Sequence, residues 1–111
     1  MRSGHQDAIG PFFCYSEMNA TPRIRAKEVN DDGSIIEVVV WELPAPLPPC
    51  THSYKYRLFY GTASEERVRY DNERGKGDHR HIRGNEQSYI FSSIDRLLAD
   101  FKQDIQAWRG L

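Results

Sequence analysis

The stretch Tyr54-Lys55-Tyr56-Arg57-Leu58-Phe59-Tyr60-Gly61-Thr62-Ala63-Ser64-Glu65-Glu66-Arg67-Val68-Arg69-Tyr70-Asp71 decides how this chain folds. Side chains on a strand alternate between its two faces, so Tyr54, Tyr56, Leu58 and Tyr60 fall on one side and Lys55, Arg57 and Phe59 on the other. After a short turn at Gly61 to Ser64 the alternation resumes, with Val68 and Tyr70 set against Arg67 and Arg69. The reading is an antiparallel hairpin with one aromatic face and one basic face. Pairing in the simplest register sets Lys55, Arg57, Arg67 and Arg69 across from one another, which like charges tolerate where an anion fills the space between them.

Upstream, Ser34 to Leu43 is β-branched with apolar residues on both faces, the pattern of a central strand covered on both sides. Asn30-Asp31-Asp32-Gly33 is a turn joining it to a looser strand from Arg23 to Val29. Pro44-Ala45-Pro46-Leu47-Pro48-Pro49 cannot pair regularly and makes a stiff connector. Residues 1–22 show no sustained period and read as a poorly ordered extension, in which Met18 is an alternative start. Downstream, Ser88 to Phe91 reads as a short strand. A helix follows from about Ser93 to Arg109: Ser92 or Ser93 caps it, Asp95 stands in the first turn, and Ile94, Leu97, Leu98, Phe101, Ile105 and Trp108 form one stripe before Gly110. The expected fold is a single α+β domain over residues 23–111, a twisted and mostly antiparallel sheet of four to five strands with the C-terminal helix packed on one face. Trp41 and Trp108 are assigned to the core, and the tyrosines of the strands to packing in preference to stacking on bases.

At 111 residues the chain can bury roughly two-thirds of its unfolded surface without disulfide or metal staples. Its two cysteines, Cys14 and Cys50, lie far apart with no metal-ligand spacing, and no apolar run reaches the roughly 20 residues that span a bilayer. These features suggest a cytoplasmic protein without a membrane segment. A net charge of −1 argues against a protein that coats polyanions and for a local site.

That site is the run Arg67 to Arg83, which concentrates six Lys/Arg, two His and two Gly. Gly75 and Gly77 permit a close backbone approach to phosphate or form a plain turn. The pattern is neither a P-loop nor a dinucleotide fingerprint. His79 and His81 are two apart, so an extended backbone points both imidazoles the same way. As an acid/base pair they can cleave RNA at the 2′-hydroxyl, with Lys76 or Arg80 stabilising charge on phosphorus and Asp78 orienting an imidazole. Arg67, Arg69, Lys55, Arg57 and Arg83 then hold phosphates. Two other readings stay open: a non-catalytic module that binds nucleic acid or an acidic protein surface, and a His-x-His metal half-site completed by His52 or Asp78. No cofactor is called for by the first of these, and self-association is left open.

The succession Tyr70-Asp71-Asn72-Glu73-x-Gly75-Lys76-Gly77-Asp78-His79-x-His81 is preceded by Val39-Val40-Trp41, Pro44 and Tyr54-Lys55-Tyr56-Arg57-Leu58. Tyr89-x-Phe91 and Leu97-Leu98-Ala99-Asp100-Phe101 follow it. Together these resemble the TumE family of toxin components of bacterial toxin–antitoxin modules, over about residues 34–109. The resemblance implies a growth-inhibiting toxin and a helix-turn-helix antitoxin encoded beside it as partner. RNA as the target is an analogy with other small toxins of this shape.

Overall fold

The computed structural model describes residues 19–110. The poorly ordered extension expected over residues 1–22 therefore falls mostly outside the described residues, as do Met18, Cys14 and His5. Thr21 and Pro22 already belong to the first strand.

Every strand pairs antiparallel with its neighbour in sequence. The order is β1 (Thr21–Val29), β2 (Ile35–Glu42), β3 (Tyr54–Gly61), β4 (Glu66–Glu73), β5 (Gly77–Ile82) and β6 (Asn85–Ser88), and the single helix among the described residues is α1 (Ile94–Arg109). Among the described residues the sheet has six strands where four to five were expected. The extra one comes from the basic segment: Gly75 and Gly77, both at φ +82, confine the turn to three residues and release Gly77–Ile82 to pair with β4. The last strand also starts earlier than Ser88. Tyr89 and Phe91 leave the sheet because their rings pack instead, Tyr89 edge-on to Tyr70 and Phe91 flat on His52.

The period-two reading of β3 and β4 holds for the core. Tyr56, Leu58, Tyr60, Val68 and Tyr70 are buried with Val40 beneath α1, whose Leu97, Phe101 and Ile105 complete the cluster. Each of these helix side chains contributes about 1.5–3 kcal/mol by leaving water. Ser93 caps the helix through its Oγ, which accepts from the Arg96 N–H, and Gly110 ends it at φ +80. No helix among the described residues is long and apolar enough to cross a membrane.

Two features set the position of the site. At the β3–β4 turn the register shifts, and a Cβ on Gly61 would lie 2.2 Å from the Glu65 carbonyl, so only glycine fits. At the other end β3 and β4 part after Arg57 and Asp71. Buried Asn72 bridges the gap, accepting from the Tyr56 N–H (3.0 Å) and donating to the Tyr54 carbonyl (2.7 Å). The proline connector closes over that opening, with Pro48 accepting from the Gly75 N–H and Leu47 and Cys50 buried. Trp41, expected in the core, alternates with buried Val40 and is half-buried on the face away from α1, beside Lys55 in register.

Candidate functional site

Strand β5 carries an acid–imidazole cluster on each face, because alternation sends Asp78 and Arg80 to the helix side and His79 and His81 to the open side.

On the helix side, Asp78 Oδ2 accepts from His52 Nε2 and from the Tyr56 hydroxyl, each at 2.7 Å. His52 Nδ1 accepts from the Tyr54 N–H, so the ring proton lies on Nε2 and the tautomer is fixed. Burial works to raise the Asp78 carboxyl, but the hydrogen bonds from His52, Tyr56 and Cys50 outweigh it and hold the group below its ordinary value. Burial, then the Asp78 hydrogen bond, pushes the Cys50 thiol up to about 11, which leaves it a neutral thiol and a poor nucleophile or metal ligand. Although Cys50, His52 and Asp78 are close enough to share an ion, His52 Nδ1 already accepts from Tyr54 and its Nε2 proton is given to Asp78 Oδ2, so the imidazole has no lone pair to offer.

On the open side the partners differ. Asp71 stands opposite His79, and Arg69 opposite His81. His79 is 2 % exposed, with Nδ1 directed at the Gly77 carbonyl (3.1 Å) and Nε2 2.5 Å from Asp71 Oδ1. That contact is short yet misaligned: among the described residues neither atom has a hydrogen-bond partner of acceptable geometry, so it is proximity and not a satisfied bond. Arg69 branches to Glu66 (3.0 Å), to Asp71 Oδ2 (3.2 Å) and to His81 Nε2 (2.8 Å). Burial, then the Arg69 charge, lowers the His81 imidazole below its usual value and so favours the neutral base.

The residues expected to act together are split between these faces. Arg80 donates to Tyr70 and Asp104 under the helix, away from both histidines. Lys76 pairs with Glu86 at 3.2 Å. Arg67 follows the shifted register to the helix side, where its guanidinium lies over Tyr60 and Trp108, and Arg83 stacks 4.0 Å above the Trp108 ring. The expected row of facing arginines is absent here: Arg57 stands opposite Asp71, Arg69 opposite Phe59, and Lys55 Nζ donates to the Asn72 carbonyl at 2.5 Å. Asp78 serves His52, on the opposite face from His79 and His81. The amides of Gly75 and Lys76 bond to Pro48 and Glu73 instead of offering themselves to a phosphate. Asp71, which stands between His79 and Arg69, was not among the expected site residues. A turn centred on Gly75 was the available signal, since it sets 73 against 77 and therefore 71 against 79.

No curated protein and no solved structure matches this chain. A family model described as Toxin TumE matches residues 15–109, nearly the whole chain and beginning well before Ser34, where the motif resemblance starts. The chain belongs to the TumE toxin family.

Proposed function

We propose that this toxin acts on RNA at the open face of its sheet, with His81 as the base and Arg69 as the phosphate anchor. One observation carries the reading: a guanidinium hydrogen-bonded at 2.8 Å to a neutral imidazole on a face that α1 leaves uncovered. A phosphate arriving at Arg69 draws the guanidinium off His81 and frees the Nε2 lone pair. That nitrogen then takes the proton of the RNA 2′-hydroxyl. The 2′-oxygen bonds to phosphorus, the bond from phosphorus to the 5′-oxygen breaks, and water protonates the leaving oxygen. The products are a 2′,3′-cyclic phosphate and a 5′-hydroxyl, and no metal enters. His79 is too buried to touch substrate, so it acts as a positioning residue through Asp71. Arg57 and Lys55, on the same face, extend the anionic track.

A toxin family implies an antitoxin partner. Because Lys76, Arg80 and Arg69 already have acidic partners within the chain, carboxylates of a helix-turn-helix antitoxin would best meet Arg57. The test is incubation of the purified chain with total cellular RNA under excess chelator. Fragments bearing cyclic phosphate ends are expected from the wild type and not from His81→Ala or Arg69→Ala. Salt-dependent RNA binding without fragments would replace this reading with a non-catalytic binding module.

A further inference from the structure

The Gly77 carbonyl beside His79 Nδ1 can only accept, so Nδ1 carries a proton and, in the neutral ring, the lone pair belongs to Nε2, 2.5 Å from Asp71 Oδ1. Arg69 can only donate, so the His81 Nε2 it approaches is a lone pair as well. Two imidazole nitrogens and a carboxylate oxygen thus lie together, one ligand atom from each residue within 4.8 Å of the others. Two of these atoms, Asp71 Oδ1 and His79 Nε2, are buried without a hydrogen-bond partner among the described residues. A lone pair and a carboxylate oxygen held this close repel one another unless a positive charge serves both. Around them stand Glu66, Glu73 and Glu86, the last two 3.8 Å from His79 and His81 respectively, against Arg69 and Lys76.

We propose that Asp71, His79 and His81 bind a divalent transition-metal cation of the zinc class. The donor chemistry selects it: neutral imidazoles suit zinc, nickel or copper and not magnesium, and a backbone carbonyl fixing the far nitrogen of a ligating histidine is the usual supporting contact. Ligands about 2.0–2.1 Å from a tetrahedral ion stand about 3.3 Å apart, so the Asp71–His79 contact opens by under an ångström when the ion enters. Arg69 gives up His81 and keeps Glu66 and the second Asp71 oxygen. Glu73, Glu86 or water completes the shell. Resting on the RNA reading is one consequence: the ion takes the His81 lone pair that the reading assigns to the base, so the loaded toxin is blocked.

The full chain, stripped with chelator, is titrated calorimetrically with zinc chloride and separately with magnesium chloride, without RNA. One zinc per chain is expected and no heat from magnesium. Asp71→Asn and His81→Gln should each weaken zinc binding at least tenfold, whereas Cys50→Ser should not. Imidazole nitrogen NMR of the wild type guards against misfolded variants: zinc should move the His79 and His81 signals and leave His52 in place. Absence of binding, binding that survives both substitutions, or shifts confined to His52 would each overturn the site. Added zinc should also stop RNA cleavage. Binding that leaves cleavage intact overturns the blocking step alone, and a chain that never cleaves RNA leaves the binding result standing.

Discussion

The two acid–imidazole clusters on strand β5 are built from the same residue types and differ in how completely they are satisfied. Around Asp78 every partner is assigned: His52 and Tyr56 donate, the Tyr54 amide fixes the tautomer, and Phe91 covers the ring at 3.9 Å. Around Asp71 the contacts are short but misaligned, and three buried polar atoms, Arg69 Nε, Asp71 Oδ1 and His79 Nε2, lack hydrogen-bond partners among the described residues. A buried polar atom without a partner lowers stability, so its persistence calls for an explanation other than folding. The first cluster holds the proline connector to the sheet. The second is where a ligand completes the chemistry.

The largest contrast should come from paired substitutions. His81→Ala is expected to reduce RNA cleavage and growth arrest by at least about a hundredfold, as loss of a general base does, with little change in melting temperature. Asp78→Ala should do the reverse. It leaves His52 and the Tyr56 hydroxyl buried without an acceptor, and urea unfolding should report a loss of about 2–4 kcal/mol while the folded fraction keeps its activity. Equal effects on stability and activity at both positions would break the distinction between the clusters.

Arg80→Ala sharpens the comparison at smaller scale. Its pairing with Tyr70 and Asp104 predicts about 1–2 kcal/mol of lost stability and unchanged cleavage by the folded protein. Reduced cleavage without unfolding would return Arg80 to the reaction.

The smallest effect concerns pH. Cys50 is an acid whose folded value is raised from 9.0 to about 11, so its contribution is complete below pH 9 and is lost as pH rises toward 11. Asp78, held below its ordinary value, contributes above about pH 3.8 and loses that contribution as pH falls below it. Unfolding followed from pH 8 to 10 should decline less steeply in Cys50→Ala than in the wild type, and an identical slope would remove Cys50 from the sealed cluster.

Local pattern carried the sheet and the helix. Alternation in Tyr54–Tyr60 and Val68–Tyr70 found the buried face, and the Ser93 cap with the Leu97–Phe101–Ile105 stripe found the helix. The side taken by Arg67 was not legible, because the register shift beside Gly61 turns it toward Trp108 and no periodicity foretells a bulge. Because no strand was expected over Gly77–Ile82, the nearness of Asp71 to His79, which depends on β5 pairing with β4, stayed hidden. His52 shows the same limit: its bond to Asp78 spans 26 residues and depends on how the proline connector folds back.

The strictly sequential strand order has a kinetic meaning. Each strand pairs with the next in sequence, so the sheet can assemble from contacts near in sequence, which favours fast folding for a β-rich chain. The apolar face of that sheet stays wet until α1, the last described element, swings back onto Tyr70 and Val68. During synthesis the open face with Asp71, His79 and His81 can therefore be in register while the opposite face is still uncovered. An antitoxin that recognises the open face has its target before the toxin has finished folding.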